Sequence, residues 1–228
     1  MKVTVLGTRA NVDKTAPWHS KHAGVLVDDS ILLDLGEEEY LKYNPEVVFI
    51  THLHPDHAFF MLKDEEISLE IYAPEKNSGK TMTRIIEGRV NHGPYEVTAL
   101  PTHHSKTAKS VAYLIREGSS SLMYTGDIIW LDKKYRENIV KIDLVITDGS
   151  YIRKGGLVRK DPETGILYGH NGIPNLVRLF QEYTDRIIFT HFGSWFYKDI
   201  PEARKKITSL STEQTKVDAS RDGEVFNI

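Results

Sequence analysis

Cysteine is absent from the 228 residues, and this absence limits the chemistry of any metal site. No disulfide can form, and no thiolate can bind an ion. Any metal must therefore be held by histidine, aspartate or glutamate. Imidazole and carboxylate donors suit zinc, manganese, iron or nickel.

The sequence also lacks a long apolar run and a large excess of either charge. No stretch approaches the ~20 apolar residues that cross a bilayer. The opening MKVTVLGT is too short for a signal peptide. These features predict a cytoplasmic protein with no membrane partner. The net charge of −3 disfavours a general nucleic-acid coat protein, which would be strongly basic.

Internal repeats and low-complexity linkers are absent as well, so residues 1–228 are expected to form one domain. Short runs rich in Val, Ile, Leu, Tyr and Thr, bounded by turn residues, predict the strands. The predicted strands are Lys2–Gly7, Ala23–Val27, Ser30–Leu33, Val47–Thr51, Leu69–Tyr72, Tyr95–Pro101, Ser110–Arg116, Ser121–Tyr124, Leu144–Thr147 and Arg186–Thr190.

Helices are fewer, and the clearest is Ile173–Tyr183, whose apolar residues fall on one face. The pair DD at 28–29 predicts a hairpin, and EGSS at 117–120 predicts another with a longer turn. Two sheets with covering helices fit this pattern better than a helical bundle. The other predicted helices are Glu37–Tyr43, His57–Leu62, Gly79–Glu87 and Ile200–Ser209.

The segment THLHPDHAFF, residues 51–60, concentrates three histidines and an aspartate directly after an apolar strand. His52 and His54 are two positions apart, so in an extended segment both point to the same side and can bind one ion. Pro55 stiffens the turn, after which Asp56 and His57 can serve a second ion. A polar turn rich in histidine is the alternative, but four such residues in six positions favour a metal site.

The HLHPDH segment resembles the H-x-H-x-D-H signature of the metallo-β-lactamase-fold hydrolases, and further motifs follow in the order of that family. They are THHS at 102–105, TGD at 125–127 and FTHFG at 189–193, together with VTVLGT and ILLDLGE near the start. The resemblance covers roughly residues 2–195. It implies a protein of the α/β class with a four-layer αββα sandwich.

The resemblance also implies a site for two divalent metal ions, with zinc preferred and manganese, iron or nickel as alternatives. Spacing alone leaves open whether His103 or His104 belongs to it, since neighbouring strand residues face opposite ways. Family members with an HS pair use that histidine, which favours His104 and leaves His103 a supporting or structural role. The implied ligands are His52, His54 and His104 for the first ion, Asp56, His57 and His191 for the second, and Asp127 as a bridge.

Two residues are expected to act on the substrate at this site. Asp56 can hold both a metal and the nucleophilic water. His170 lies in a Gly-His pair before the clearest helix, which resembles the phosphodiesterase branch of the family. That branch includes the tRNA 3′-processing ribonucleases and the phosphoribosyl cyclic phosphodiesterases, in which this histidine assists the leaving oxygen or the phosphate. A loop histidine near a helix start is the alternative.

Candidate substrate contacts lie in two irregular segments. SYIRKGGLVRKDPETG, residues 150–165, is cationic, and Arg153 or Arg159 could bind an anionic substrate there. The alternative is a solvated, mobile loop, which is the role expected of Lys160. The long loop at 9–24 carries His19 and His22. Either could line the pocket mouth, with His22 as the candidate contact, and a surface role is the alternative.

The expected function is a metal-dependent phosphodiesterase that acts on a small, anionic phosphorylated compound. Between His104 and Asp127 there is no room for the Gly/Pro-rich arm with which the tRNA-processing enzymes clamp tRNA. A nuclease is therefore the second candidate, and nucleic acid is not the favoured partner. Thioester or lactone hydrolysis and metal binding without turnover are further alternatives. A homodimer is compatible with the family, although no interface pattern stands out.

Overall fold

A computed structural model describes residues 1–63, 65–137 and 139–228 of the chain. Its strands are β1 Lys2–Gly7, β2 Gly24–Val27, β3 Ile31–Leu33, β4 Val47–Phe49, β5 Glu70–Ala73, β6 Arg84–Ile85, β7 Arg89–His92, β8 Tyr95–His103, β9 Ser110–Glu117, β10 Ser120–Tyr124, β11 Trp130–Leu131, β12 Leu144–Asp148, β13 Leu157–Lys160, β14 Leu167–His170, β15 Arg186–Thr190, β16 Lys216–Ala219 and β17 Glu224–Asn227. Its α-helices are α1 Lys133–Arg136, α2 Ile173–Phe180 and α3 Ile200–Thr208, and short 3-10 helices span Glu38–Tyr43, Phe59–Met61 and Phe196–Lys198.

Two mixed sheets contain all of these strands except β13 and β14. The first sheet has the order β17-β1-β2-β3-β4-β5-β6. The second has the order β11-β8-β9-β10-β12-β15-β16, and β7 also pairs with β8. Strands β10, β12 and β15 run parallel, while β9 is antiparallel to both β8 and β10. The carboxyl ends of β8, β10, β12 and β15 therefore lie at the same edge of the second sheet.

The inner faces of the two sheets pack against each other to form the central core. Residues of β1 to β4 in this core alternate with residues that face the opposite side, as a pleated strand requires. Burying this apolar face on both sheets is the main force that holds them together. The core contains Val3, Val5, Val25, Val27, Ile31, Leu33, Val47 and Phe49 from the first sheet, and Val97, Tyr113, Ile115, Leu122, Tyr124, Leu144 and Ile146 from the second.

Helices cover the outer faces of both sheets. The buried side of α2 is formed by Ile173, Leu176, Val177 and Phe180, which pack on the outer face of the second sheet with α3. The 3-10 helices at Glu38–Tyr43 and Phe59–Met61 cover the first sheet. The four-layer αββα arrangement predicted from the sequence is therefore confirmed. Among the described residues, every helix is too short or too polar to cross a lipid bilayer.

The predicted helix Gly79–Glu87 is wrong. Its second half contains β6, which pairs with β5 at the edge of the first sheet. Threonine side chains hold the first half in an irregular loop, since Thr81 Oγ1 donates to the Glu65 carbonyl and Thr83 Oγ1 to the Glu75 carbonyl. Threonine competes in this way with helical hydrogen bonds, and its branched β-carbon disfavours the helix.

Both predicted hairpins form, with turns of different length from those expected. Val27 pairs with Ile31, so the first turn spans three residues, and Asp28 and Asp29 have φ values of 46° and 57°. Glu117 pairs with Ser120, so the second turn contains only two residues and is not a longer one. A third hairpin, β13–β14, occupies residues 157–170, where the sequence suggested a loop.

Candidate metal centre

Several strands of the two sheets end along one edge, where binding sites of such sheets commonly form. β4 leads into the segment 51–57, β8 into His104, β10 into Asp127 and β15 into His191, and β12 ends at Asp148. A rigid strand followed by a short turn fixes where each side chain can point. The predicted ligands, scattered over 140 positions from His52 to His191, are brought together at this edge.

The first group of donors consists of His52, His54, His104 and the Oδ2 atom of Asp127. His54 Nδ1 lies 3.0 Å from His52 Nε2 and 3.4 Å from His104 Nε2. Asp127 Oδ2 lies 3.7 Å from His52 Nε2 and 3.4 Å from His104 Nε2. Three imidazole nitrogens and one carboxylate oxygen therefore surround one point.

The second group consists of Asp56, His57 and His191, beside the other oxygen of Asp127. His191 Nε2 lies 3.3 Å from His57 Nε2 and 3.0 Å from Asp56 Oδ2. Asp127 Oδ1 lies 3.3 Å from His57 Nε2 and 3.0 Å from His191 Nδ1. Asp127 thus presents Oδ2 to the first group and Oδ1 to His57 of the second, while its contact with His191 is to the other ring nitrogen.

These donor sets fit divalent metal ions. Nitrogen and oxygen ligands about 2.0–2.1 Å from an ion in a tetrahedron are about 3.3–3.4 Å apart. The neighbouring donors of both groups have separations centred on that value. Asp127 Oδ1 is also buried without a hydrogen bond from any described residue, which is costly for a carboxylate that has no ion to bind.

Buried hydrogen bonds behind the donors fix the orientation of the rings. His57 Nδ1 lies 2.7 Å from Asp34 Oδ2, and Tyr124 and Thr51 also donate to this carboxylate. His104 Nδ1 lies 3.0 Å from the Gly169 carbonyl. The two groups of donors are called the cluster below. Because Nδ1 of His57 and of His104 makes a hydrogen bond, Nε2 of each ring is directed at this cluster, which is how metal-binding histidines are usually held.

Burial and charge act differently on the two groups. Burial lowers the pKa of His104 to about 4, so near neutral pH its ring is uncharged and keeps the lone pair that a metal needs. Burial also opposes the charged form of His57, but the carboxylates of Asp127, Asp34 and Asp56 outweigh it and raise the pKa to about 10. Carboxylates therefore surround the second group and favour positive charge there, which a divalent ion could supply in place of the ring protons.

His191 adopts a left-handed backbone conformation with φ of 56°, which is unfavourable for a residue other than glycine. Such strain is typical of functional sites, where the surrounding structure imposes it. The ring is held between Ser150, whose Oγ lies 3.0 Å from Nδ1, and the carboxylate of Asp56.

His170 lies beside both groups and is paired with a buried carboxylate. Its Nδ1 lies 2.7 Å from Asp148 Oδ2 and 3.9 Å from Asp127 Oδ2. Asp148 is completely buried, and its other oxygen accepts a hydrogen bond from the Ser150 amide. Nε2 of His170 has no hydrogen-bond partner among the described residues, and the ring borders the cavity above the cluster.

That cavity has a volume of about 460 Å³ and opens directly over the donors. It could therefore admit a small compound to the cluster. The cavity wall combines the loop at 10–12 with the segment that follows His191, and besides the cluster residues it includes Asn11, Pro55, Ser150, Tyr151 and Trp195.

The remaining predicted site residues are more distant from the cluster. His103 is half-exposed and contacts Asp132 Oδ1 at 3.0 Å, without a hydrogen bond to any described donor of the cluster. His22 contacts Glu37 at 2.9 Å and lines a neighbouring cavity that reaches Asp56. Arg153 Nε donates to the Gly156 carbonyl, within its own loop.

Arg159 lines a side cavity together with His104 and His170, and Lys160 is exposed on the opposite face of the same strand. His19 is buried, and so it does not reach the pocket mouth.

Sequence reasoning missed Asp34 and Asp148, the two buried carboxylates that orient His57 and His170. Each follows an apolar strand, in ILLD and LVITD. An aspartate at the end of a buried strand is the signal that could have identified them, because an unpaired carboxylate is rarely buried.

Comparisons with known proteins show the family and the fold of the chain. A family model described as the beta-lactamase superfamily domain matches residues 41–192. The metallo-beta-lactamase fold protein YhfI from Bacillus subtilis has a TM-score of 0.70 and 18% identity, over 99% of this chain and 98% of that chain. A diphosphatase from the PhnP family has a TM-score of 0.68 and 12% identity, over 100% and 97%.

Human tRNase Z, short form, has a TM-score of 0.65 and 17% identity, over 100% of this chain and 99% of that chain. A search of curated protein sequences gives no match. At these identities, the likeness to the solved structures shows the fold alone.

Proposed function

The chain belongs to the beta-lactamase superfamily, and from this premise we propose that it is a metal-dependent phosphodiesterase that acts on a small anionic compound. The observation that carries the proposal is the Asp148–His170 pair, which lies beside the donors and faces the cavity. A phosphodiester needs both charge stabilisation and a proton for the departing oxygen, and these residues supply the second.

The ligand assignment proposed for the two ions follows the two donor groups. Zinc is the preferred metal, and manganese, iron or nickel suit the same donors. When bound, two such ions would lower the pKa of a water and stabilise the charge that develops on the phosphoryl oxygens. The proposed ligands are His52, His54 and His104 for the first ion, Asp56, His57 and His191 for the second, and Asp127 between them.

The chain's own residues then move the protons. Asp56 directs Oδ2 at His191, which leaves Oδ1 to accept a hydrogen bond from the attacking water and orient it. The water gives up one proton to solvent, and its oxygen bonds to phosphorus while the bond from phosphorus to the leaving oxygen breaks. His170 Nε2 donates its proton to that oxygen, and the buried carboxylate of Asp148 stabilises the ring in its charged form.

Similar solved structures support a phosphorus substrate, since they include a diphosphatase and a tRNase Z. A nuclease is the second candidate, although the net charge of −3 gives no broad attraction for a polyanion. Thioester hydrolysis would leave the Asp148–His170 pair without an obvious task, because a thiolate can leave without a proton. Lactone hydrolysis releases an alkoxide that needs a proton, so it stays an alternative. A cytoplasmic location and a homodimer stay predictions from the sequence.

The test is hydrolysis of bis-p-nitrophenyl phosphate by the metal-loaded protein, with metal content measured by mass spectrometry. We expect two ions per chain and turnover that Asp56→Ala abolishes. His170→Ala should slow alkyl phosphodiesters by about 10²–10⁴-fold, the usual contribution of general acid catalysis. It should affect bis-p-nitrophenyl phosphate much less, because p-nitrophenolate can leave without a proton.

His103→Ala is the matched control, since this histidine lies next to His104 in sequence but outside the cluster. It should retain full activity on both kinds of ester. A protein that binds two ions and hydrolyses neither ester would contradict the proposal.

A further inference from the structure

A side cavity of about 280 Å³ adjoins the cavity above the metal centre and lies against the β13–β14 hairpin. The two cavities share His54, His104, Tyr151 and His170. The part that only the side cavity contains is lined by Ser105, Lys106, Leu157, Arg159, Tyr168 and Gly169. None of the residues that line it is acidic.

The register of the hairpin determines which side chains face this cavity. Leu157 is directly opposite His170, and Arg159 is directly opposite Tyr168. Residues opposite each other share a face, as do residues two apart along a strand, so these four lie on one face. Arg159 and Tyr168 therefore form the row next to His170, about 7 Å further along the hairpin.

Arg159 is the cation available to a ligand in this row. It is exposed and has no ion pair with any described residue. Lys106, by contrast, lies 3.3 Å from Asp161 Oδ2 and over the Tyr168 ring at 5.3 Å, so its charge is largely compensated. Arg153 also has other partners, because its Nε donates to the Gly156 carbonyl and its guanidinium lies over the Tyr151 ring.

The cavity on the opposite side of the metal centre extends from Asp56 toward the 3-10 helix Glu38–Tyr43, and its charges are paired with one another. Lys63 pairs with Glu38, Lys42 with Glu39 and His22 with Glu37. Among the described residues that line this cavity and the side cavity, Arg159 is thus the cation without a carboxylate partner, and it attracts an anionic group to the side that carries His170.

We propose that the side cavity binds a second anionic group, carried by the leaving group about 7 Å from the reacting phosphorus. This inference rests on the proposed function, because it takes His170 as the residue that protonates the leaving oxygen. A ring between that oxygen and the second anion would pack against Tyr168 and Tyr151, which line the side cavity. The substrate class is therefore a phosphodiester whose leaving group contains a ring and a second phosphate, as a nucleotide does.

The test compares two probes by calorimetry on the zinc-loaded protein. They are adenosine 5′-monophosphate, with one phosphate, and adenosine 3′,5′-bisphosphate, with two. We expect the second phosphate to tighten binding about tenfold, which corresponds to about 1.4 kcal/mol. Arg159→Ala should remove that gain. Lys160→Ala, which deletes the same charge from the opposite face of the same strand, should keep it.

Equal affinities for the two nucleotides in the unmodified protein would overturn the inference. So would an equal loss in both variants, because that would reduce the effect to general charge attraction. Calorimetry does not depend on turnover. If bis-p-nitrophenyl phosphate is not hydrolysed but the tenfold difference persists and needs Arg159, the proposed function fails while the binding site for the second anion is supported.

Discussion

Acidification should destabilise this protein through His19, a buried histidine outside the metal centre. His19 Nδ1 lies 2.9 Å from Thr8 Oγ1, which itself donates to Asp222, so the neutral ring donates its Nδ1 proton to Thr8. The ring edge packs on Phe192 and Phe196, with centroid separations of 5.7 and 4.9 Å. This contact fixes the loop at 9–24, part of which borders the cavity above the donors.

Burial lowers the pKa of His19 to about 4 from the ordinary value of 6.5. Between these two pH values the unfolded chain binds a proton that the folded chain does not, so stability falls as the pH decreases. Each pH unit costs about 1.4 kcal/mol. The loss attributable to His19 is therefore about 2 kcal/mol between pH 7 and pH 5, and about 3 kcal/mol by pH 4.

The assay is urea denaturation of the metal-loaded protein at pH 7 and pH 5, beside His19→Asn. The amide of asparagine can still donate to Thr8 but does not titrate. Taking the difference between the two proteins cancels the contribution of every other titrating group. We expect the unmodified protein to lose about 2 kcal/mol more than the variant. An equal loss would refute the reasoning, and so would an NMR titration in which the His19 ring becomes charged near pH 6.5.

Three further predictions concern the centre itself. Removing metal with a chelator should abolish hydrolysis and lower the melting temperature, and added zinc should restore both. Without an ion, the buried carboxylates of Asp56 and Asp127 repel each other and Asp127 Oδ1 has no hydrogen bond from a described residue. Asp34→Asn should weaken zinc binding by roughly 10–100-fold in a competition with a chelator dye, whereas Asp132→Asn on the surface should not. Gly169→Ala should lower turnover and stability, since a β-carbon would lie 2.0 Å from the Leu157 carbonyl. Gly165→Ala, also at positive φ but without such a clash, should have the smaller effect, and equal effects would exclude the steric explanation.

The pattern of residues alone predicted most strands, two sheets with covering helices and the group of donors at 52–57, whereas the family resemblance implied the four-layer arrangement and the distant donors His104, Asp127 and His191. Alternation of apolar residues is a local signal, and His52, His54, Asp56 and His57 are close enough in the chain to be recognised as one motif. The short helix at Gly79–Glu87 was wrong because side-chain hydrogen bonds to distant carbonyls decided that segment. No local pattern reports such contacts.

The tertiary structure decided which of His103 and His104 joins the donors, a choice in which the family resemblance had favoured His104. Spacing left both open, and the end of β8 turns His104 into the cluster while His103 pairs with Asp132 at the surface. The same holds for the carboxylates of Asp34 and Asp148, whose partners lie 23 and 22 positions away in the chain. Residue types and spacing indicate which chemistry a chain can perform, but strand packing sets which donors, cations and proton carriers share one cavity.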